Sequence, residues 1–316
     1  MLRRQFLQAA ALAPCFGASA AVSRAAQPAR APVVPRVVVL DWGVLETLLA
    51  MGVVPVGAAE IDSYRDSVVS PDVPSSVADV GLRLAPSLEL LQQIAPDRIL
   101  INSSQESQRA MLERIAPVDA FAIYTDAGAP YQRSQAVTLQ LGRLCACEAA
   151  ARDLIASTQQ RLTTARAHIA TQRATQRGTA HATRPLYLIR FFDARHIGVY
   201  GAHSLFQDVL DALDASNAWR GQTDYWGIGV TGIEALAAAP DADVLYFDPL
   251  PGGVARTLAT NRLWHALPAV AAGRVAAMPP FWGFGMLPSA ARFADALSAV
   301  LADGSSAQAA VARAPL

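Results

Sequence analysis

The stretch that most restricts this chain runs from Tyr131 to Arg173. No proline occurs between Pro130 and Pro185, and the only glycines in that span are Gly142 and Gly178. Apolar residues recur at Val137, Leu141, Leu144, Ala151, Ile155, Leu162 and Ile169, the spacing of one helical face with a polar back. A helix of ~40 residues extends roughly 60 Å at 1.5 Å per residue, more than one small domain is wide. Gly142 is the one place where the pattern offers a break.

The flanks of this run are related to each other. Ser87 to Ile101 reads SLELLQQIAPDRILI and Gly232 to Phe247 reads GIEALAAAPDADVLYF. Each carries an apolar residue and a Glu (Leu88-Glu89, Ile233-Glu234), a short helix, Pro-Asp and a buried strand. The spacing differs by one residue, so the repeat is weak. It predicts two α/β lobes joined by one long helix: an N-terminal lobe over 32–133, the bridging helix over 134–175 and a C-terminal lobe over 176–316. The joint between lobes is where a ligand is expected.

With 316 residues, 53% hydrophobic and 16% charged, the chain can build large cores and is not a disordered one. Lys+Arg and Asp+Glu both number 26. There is no basic excess to attract nucleic acid or an anionic membrane.

Residues 1–31 read as an export signal. Arg3-Arg4 is followed by Gln5, Phe6 and Leu7, a modest apolar run, and small residues at Ala18-Ser19-Ala20 and Ser23-Arg24-Ala25. The arginine pair followed by Phe-Leu is a twin-arginine pattern, which predicts export of a folded protein to the periplasm. Leu12-Ala13-Pro14-Cys15 is lipobox-like, but proline before the cysteine fits poorly. The remaining cysteines, Cys145 and Cys147, stand at i and i+2 of the helical run, point apart, and read as packing residues.

Dense strand–helix alternation fills both flanks. Strands are expected at 36–41, 53–57 and 97–101, with helices at 42–51, 87–94 and 109–115 and a Ser-, Asp- and Pro-rich loop at 61–76. Beyond the bridge, strands are expected at 186–191, 196–200, 244–248 and 274–278. Helices are expected at 204–213 and 288–301, with aromatic, Gly-rich loops at 219–229 and 279–285.

Little of this assembles into catalysis. Gly227 to Gly232 is a literal G-x-G-x-x-G, but it follows a polar, aromatic segment instead of the buried strand that a dinucleotide site requires. The five histidines (His168, His181, His196, His203, His265) show no zinc-type spacing, and neither a G-x-S-x-G elbow nor a P-loop is present. The candidates left are Trp226 and Trp282, in Gly-rich loops beyond strand ends, and Arg83. That arginine either pairs with a local carboxylate or faces the cleft.

Several segments carry a family resemblance. They are Val80-Gly81-Leu82-Arg83 with Pro86-x-Leu88-Glu89-Leu90-Leu91, Met111-Leu112-x-Arg114-Ile115-Ala116-Pro117, Ser204-Leu205-Phe206-Gln207, Asn217-Ala218-Trp219-x-Gly221 and Tyr225-Trp226-Gly227. Over about 36–303 the sequence resembles the periplasmic ferric hydroxamate (ferrichrome-type) siderophore-binding proteins of ABC importers. That resemblance implies a class III periplasmic-binding-protein-like fold, two α/β lobes with mostly parallel central sheets bridged by a single long helix, with little domain closure. It implies no enzyme and no resident cofactor or metal ligand, because the siderophore itself saturates the iron.

The resemblance also assigns residues. Arg83 matches a hydroxamate-binding arginine, whose planar fork suits chelate oxygens. Trp226 and Trp282 match pocket tryptophans. Ser67 stands where the family has a tryptophan, Gln105 where it has a tyrosine, and Phe284 where it has a second tyrosine. Ile228 replaces a serine and Asp224 an asparagine. For docking on the permease, Glu234 matches the C-lobe acid, while the N-lobe match falls on Ala110, leaving Glu106 or Glu113 as substitutes. A monomer is expected. A haem or cobalamin binder on the same fold, and a nucleotide-dependent oxidoreductase using Gly227 to Gly232, are the alternatives.

Overall fold

The computed structural model describes residues 34–175 and 184–303. The leader expected over 1–31, with Cys15, lies outside the described residues, as does His181.

The N-terminal sheet grows from a run of three buried valines. β1 (Val37–Val39) leads to α1 (Trp42–Ala50), β2 (Gly57–Ala58), α2 (Ile61–Ser67) and β3 (Ala78–Asp79). A hairpin of β4 (Gly81–Leu82) and β5 (Ala85–Pro86) then precedes α3 (Leu88–Ile94), β6 (Arg98–Asn102), a 3-10 turn (Ser103–Gln108), α4 (Arg109–Leu112) and β7 (Val118–Phe121). The strand order is β3-β2-β1-β6-β7, and every pair is parallel. A strand buried on both faces has no reason to alternate polar and apolar residues, which is why β1 reads as a continuous apolar run. The loop expected over 61–76 is a correction: its first half is α2. Only Ile61 and Tyr64 of that helix are buried, too few anchors to leave a period in the sequence.

The bridging segment is two helices, α5 (Pro130–Leu144) and α6 (Glu148–Thr175), not one. The break falls at Cys145–Cys147, where Ala146 takes a left-handed φ of 53°. Gly142 lies inside α5, and its lack of a side chain lets the start of α6 approach. A Cβ there would stand 2.7 Å from the Ala151 Cβ and 3.2 Å from the Glu148 Cα. The glycine serves the contact between the helices, not the break.

The C-terminal sheet comprises β8 (Leu186–Phe191), β9 (His196–Tyr200), β10 (Ile228–Gly232), β11 (Asp243–Phe247) and β12 (Val275–Met278), with α7 (Leu205–Ala212) after β9. A 3-10 turn (Ile233–Ala238) precedes β11, and α8 (Val254–Thr260), α9 (Arg262–Ala266) and α10 (Pro268–Ala271) follow it. The last described element is α11 (Leu287–Asp303). The order is β10-β9-β8-β11-β12; β8, β11 and β12 are parallel, while β9 and β10 run antiparallel. Most pairings are therefore parallel, as expected, but this sheet is mixed.

The glycine motif becomes β10, an edge strand paired with β9. Gly227 sits at φ 77° with the Ser204 backbone directly against it, so only glycine fits. A dinucleotide loop must turn from a strand into a helix at this point. The segment is therefore not a dinucleotide loop, and the oxidoreductase reading is not favoured.

Three hydrophobic clusters form among the described residues. One belongs to the N-terminal sheet's outer face (Val38, Ile99, Ile101, Leu91) and one to the C-terminal sheet's (Tyr187, Ile189, Val244, Trp264). The third is shared. It joins Leu45 and Tyr64 to Val137, Leu141 and Leu162 of the bridge, and these to Leu188, Phe206, Phe247 and Phe293. Parting the lobes would expose that shared core, so they are built as one body.

Candidate functional site

Arg83 occupies the first of the two turn positions between β4 and β5. Both its backbone polar groups are held. Its N–H donates to Glu60 Oε1 at 3.1 Å, and its carbonyl accepts from Gln105 Nε2 at 2.9 Å and Gln108 Nε2 at 3.4 Å. Its side chain donates from Nε to Glu60 Oε2 at 2.9 Å, with about three-tenths of the arginine side chain exposed. The guanidinium lies 3.9 Å from the Trp42 ring centroid and 5.1 Å from that of Trp282. The pairing with a local carboxylate is therefore present. Glu60 takes the Nε edge, and the terminal amino groups make no hydrogen bond among the described residues.

Under and beside Arg83 runs a chain of rings. Trp42 meets Trp282 at 4.7 Å between centroids, Trp282 meets Phe284 at 5.2 Å, and Phe284 meets Trp226 at 5.0 Å. Tyr124 packs on Trp226 at 5.3 Å and donates from its hydroxyl to the Gly285 carbonyl at 2.7 Å. Trp42 and Tyr124 come from the N-terminal sheet's connections; Trp226, Trp282 and Phe284 come from loops of the C-terminal lobe. The site therefore straddles the lobes. Edge-to-face packing of this kind makes a firm apolar surface, and the Trp42 indole N–H is already used on the Ala59 carbonyl at 3.0 Å.

Sequence reasoning missed Trp42, because it reads as the first residue of an amphipathic helix. Its signal was position: it follows β1 directly, at the carboxyl end of a buried parallel strand, where such folds bind ligands. Asp41 caps α1 through the Val44 N–H and accepts from Asn102 Nδ2 at 2.6 Å. Burial raises its carboxyl above the usual range, while the asparagine bond and the nearby Arg83 charge oppose that rise.

The other expected residues fall differently. Gln105 is 2% exposed, with its amide N–H groups on Leu40 and Arg83 carbonyls and its Oε1 accepting from the Asn102 N–H. It positions the Arg83 turn and has no donor left for a ligand. Ser67 ends α2, half-buried, three residues beyond Tyr64, which packs edge-on against Trp42 at 6.2 Å. Asp224 is exposed and its Oδ1 accepts from the Trp226 and Ile228 N–H groups, which fixes that loop. Ile228 is half-buried against the shared core.

Glu46 closes the joint from behind. It is fully buried on α1 and accepts from the Met286 N–H at 2.5 Å and from Ser289 Oγ at 2.7 Å, capping α11. Burial pushes its carboxyl up to about 7, against those hydrogen bonds and the Arg292 charge. A separate cavity of about 150 Å³ between α1, α6 and α11 is lined by Ala50, Thr158, Arg161 and Arg292, away from the rings.

Among the acids named for docking, Glu106 and Glu113 both bond to Arg109, at 2.5 and 3.0 Å. Arg109 holds Glu106 below the usual carboxylate range. Glu234 is exposed in the first turn after β10 and ahead of β11. Glu89 is its counterpart, exposed in the first turn of α3, after β5 and ahead of β6.

Two sheets, a long helix between them and a ring-lined junction define a solute-binding protein of the periplasmic type. The chain belongs to the periplasmic binding protein family, whose pattern matches residues 37–280. Over 292 residues it is 36% identical to the iron(3+)-hydroxamate-binding protein FhuD of Escherichia coli, covering 92% of this chain and 93% of that protein. It is 26% identical to the putative ABC transporter substrate-binding lipoprotein YhfQ of Bacillus subtilis over 76% of this chain and 74% of that one. Among solved structures, the siderophore binding protein FhuD of Vibrio cholerae with Fe3+-Desferal bound superposes with a TM-score of 0.75 at 33% identity. That match covers 85% of this chain and 98% of the other. The triscatecholate siderophore binding protein FeuA of Bacillus subtilis, at 16% identity and a TM-score of 0.67 over 85% and 93% of the two chains, shares the fold.

Proposed function

We propose that this chain is an exported solute-binding protein that captures an iron(III)-hydroxamate siderophore between its lobes and delivers it to an inner-membrane ABC permease. The observation that carries this is Arg83. Glu60 fixes one edge of its guanidinium, two tryptophans from different lobes flank it, and its terminal N–H groups remain open to chelate oxygens. A donor fork over an aromatic floor suits a chelate with an oxygen-rich head and an apolar body. The relatives named for iron(3+)-hydroxamate and siderophore binding support the same reading. Iron enters as cargo already held by its chelator, so no resident cofactor and no catalytic step is invoked.

Within this reading, Arg83, Trp226, Trp282, Phe284 and Ile228 contact the ligand together with Trp42. Gln105, Asp224 and Glu60 hold those groups in place, and Ser67 widens the N-terminal side where a tryptophan would narrow it. The lobes 32–133 and 176–316 are the two docking bodies, joined by 134–175, and the protein works as a monomer. Docking uses one exposed acid per lobe, Glu234 and its counterpart Glu89, since Arg109 already engages Glu106 and Glu113. The Arg3-Arg4 leader directs export by the twin-arginine route.

Tryptophan fluorescence of the mature protein, titrated with ferrichrome, ferrioxamine B and their iron-free forms, tests the reading. Saturable quenching by a ferric form at micromolar concentration or below is expected. A folded protein that responds to none of them overturns it.

A further inference from the structure

Near the ring chain lies a second arginine, Arg190, on β8. Along β8, Tyr187, Ile189 and Phe191 face the outer core of the C-terminal sheet, while Leu186 and Leu188 face the shared core. Alternation puts Arg190 on the shared-core face, at the carboxyl end of the strand. It is half-buried there. Its cross-strand partner is Gly198, which offers no side chain to cover it. A Cβ on Gly198 would meet Ile228 Cδ1 at 2.8 Å and the Phe192 ring at 3.0 Å, so those two side chains border the space over the strand pair.

Tyr200 stands two residues beyond Gly198 on the same face of β9, near enough that the Arg190 charge opposes the rise that burial gives its phenol. That hydroxyl abuts Gly283, the residue between Trp282 and Phe284, where any Cβ would collide with it. Arg190 thus stands one phenol away from the ring chain. Tyr200 is buried, and burial pushes its phenol up, so it stays uncharged and does not neutralise the arginine. Among the described residues, no carboxylate lies within ion-pair distance of Arg190. Arg83, Arg98, Arg109, Arg161 and Arg274 each have one. A partly desolvated guanidinium without a counter-charge is unfavourable in the empty protein, and an anion brought to it removes that penalty.

We propose that Arg190 is a specificity determinant of the same site, selecting chelates that carry an anionic group, a carboxylate above all, on the side turned toward the C-terminal sheet. The inference rests on the ferric-chelate reading above and adds the charge class of the ligand. The N-terminal wall cannot supply this preference, since Glu60 compensates Arg83 and Asp41 lies within its field. Asp224 on the C-terminal side is exposed to water and turned to its own loop's N–H groups, so its charge is screened more than that of Arg190.

The test uses one chelate in three charge states: ferrioxamine B with its free ammonium, its N-acetylated form, and its N-succinylated form ending in a carboxylate. Dissociation constants are measured by tryptophan quenching for the wild type, Arg190→Met and Arg190→Lys, with thermal melts confirming that each variant is folded. The wild type is expected to prefer the succinylated over the ammonium form by at least tenfold. In Arg190→Met that ratio falls below threefold while the acetylated form changes by less than threefold, and Arg190→Lys retains most of the ratio. An unchanged ratio in Arg190→Met, or a wild type that prefers the ammonium form, overturns the role of Arg190 and leaves the siderophore reading standing. A folded wild type that binds none of the three overturns the siderophore reading, and this inference with it.

Discussion

The two walls of the site reach the same junction by different means. The N-terminal wall is delivered by an all-parallel sheet, and its cation sits on a hairpin turn held at its backbone by Glu60, Gln105 and Gln108. The C-terminal wall comes from the antiparallel half of a mixed sheet and from two aromatic loops, and the cation proposed for it, Arg190, has no carboxylate within ion-pair distance among the described residues. One wall is therefore a fixed hydrogen-bond donor with compensated charge. The other is an aromatic surface with charge to spare. On the proposed reading, such a pair reads chelate oxygens on one side and the ligand's net charge on the other.

The walls stay in register because they share a core, and the largest expected effect tests that. Phe293 is fully buried, with its ring centroid 4.4 Å from that of Phe206. Phe293→Ala should cost about 3–5 kcal/mol, lowering one cooperative unfolding transition in calorimetry. Two separate transitions, with only one lobe shifted, would break the shared-core half of the comparison.

Glu46 ties α1 to α11 across the joint, and its effect depends on pH. Its folded value is raised, from 4.5 to about 7, so the native state binds the proton more tightly than the unfolded chain. Its stabilisation is complete below about pH 4.5 and is lost as pH rises through about 7. At about 1.4 kcal/mol per pKa unit, the loss approaches about 3 kcal/mol. Chemical denaturation from pH 4.5 to 8 should show that fall in the wild type and a flatter profile in Glu46→Gln. Parallel profiles would remove Glu46 from the joint's energetics.

Arg83→Ala should weaken ferric hydroxamate binding more than tenfold, about 1.4 kcal/mol or above, with little change in melting temperature. An unchanged dissociation constant would leave the N-terminal wall without its donor role. Gln105→Leu should act more weakly, about threefold to tenfold, because it frees the Arg83 carbonyl without removing the guanidinium. If it matched Arg83→Ala, Gln105 would have to be touching the ligand itself, against its burial.

Much of the scaffold was legible. β1, β8 and β11 announce themselves as continuous apolar runs, and α7 by its serine cap and amphipathic spacing. Gly227 to Gly232 was correctly set aside, yet its conversion into β10 was not foreseen, since three glycines in six residues leave no side-chain pattern for a strand. The break between α5 and α6 was misplaced for a related reason. Cys-Ala-Cys contains no helix breaker, and the left-handed turn at Ala146 is imposed by packing α6 back on α5 through Gly142.

The site divides along the same line. Arg83, Trp226 and Trp282 were assigned by resemblance, whereas Trp42 and Glu60, and the proposal for Arg190, came only from the folded chain. By itself the sequence determined most of the larger elements, their burial and the α/β class, because those follow from local periodicity and from which residues must leave water. Tertiary structure decided which arginine has its charge compensated, which glutamine holds a turn instead of a ligand, and which rings meet. These depend on pairings between residues tens to hundreds of positions apart, and no local pattern records them.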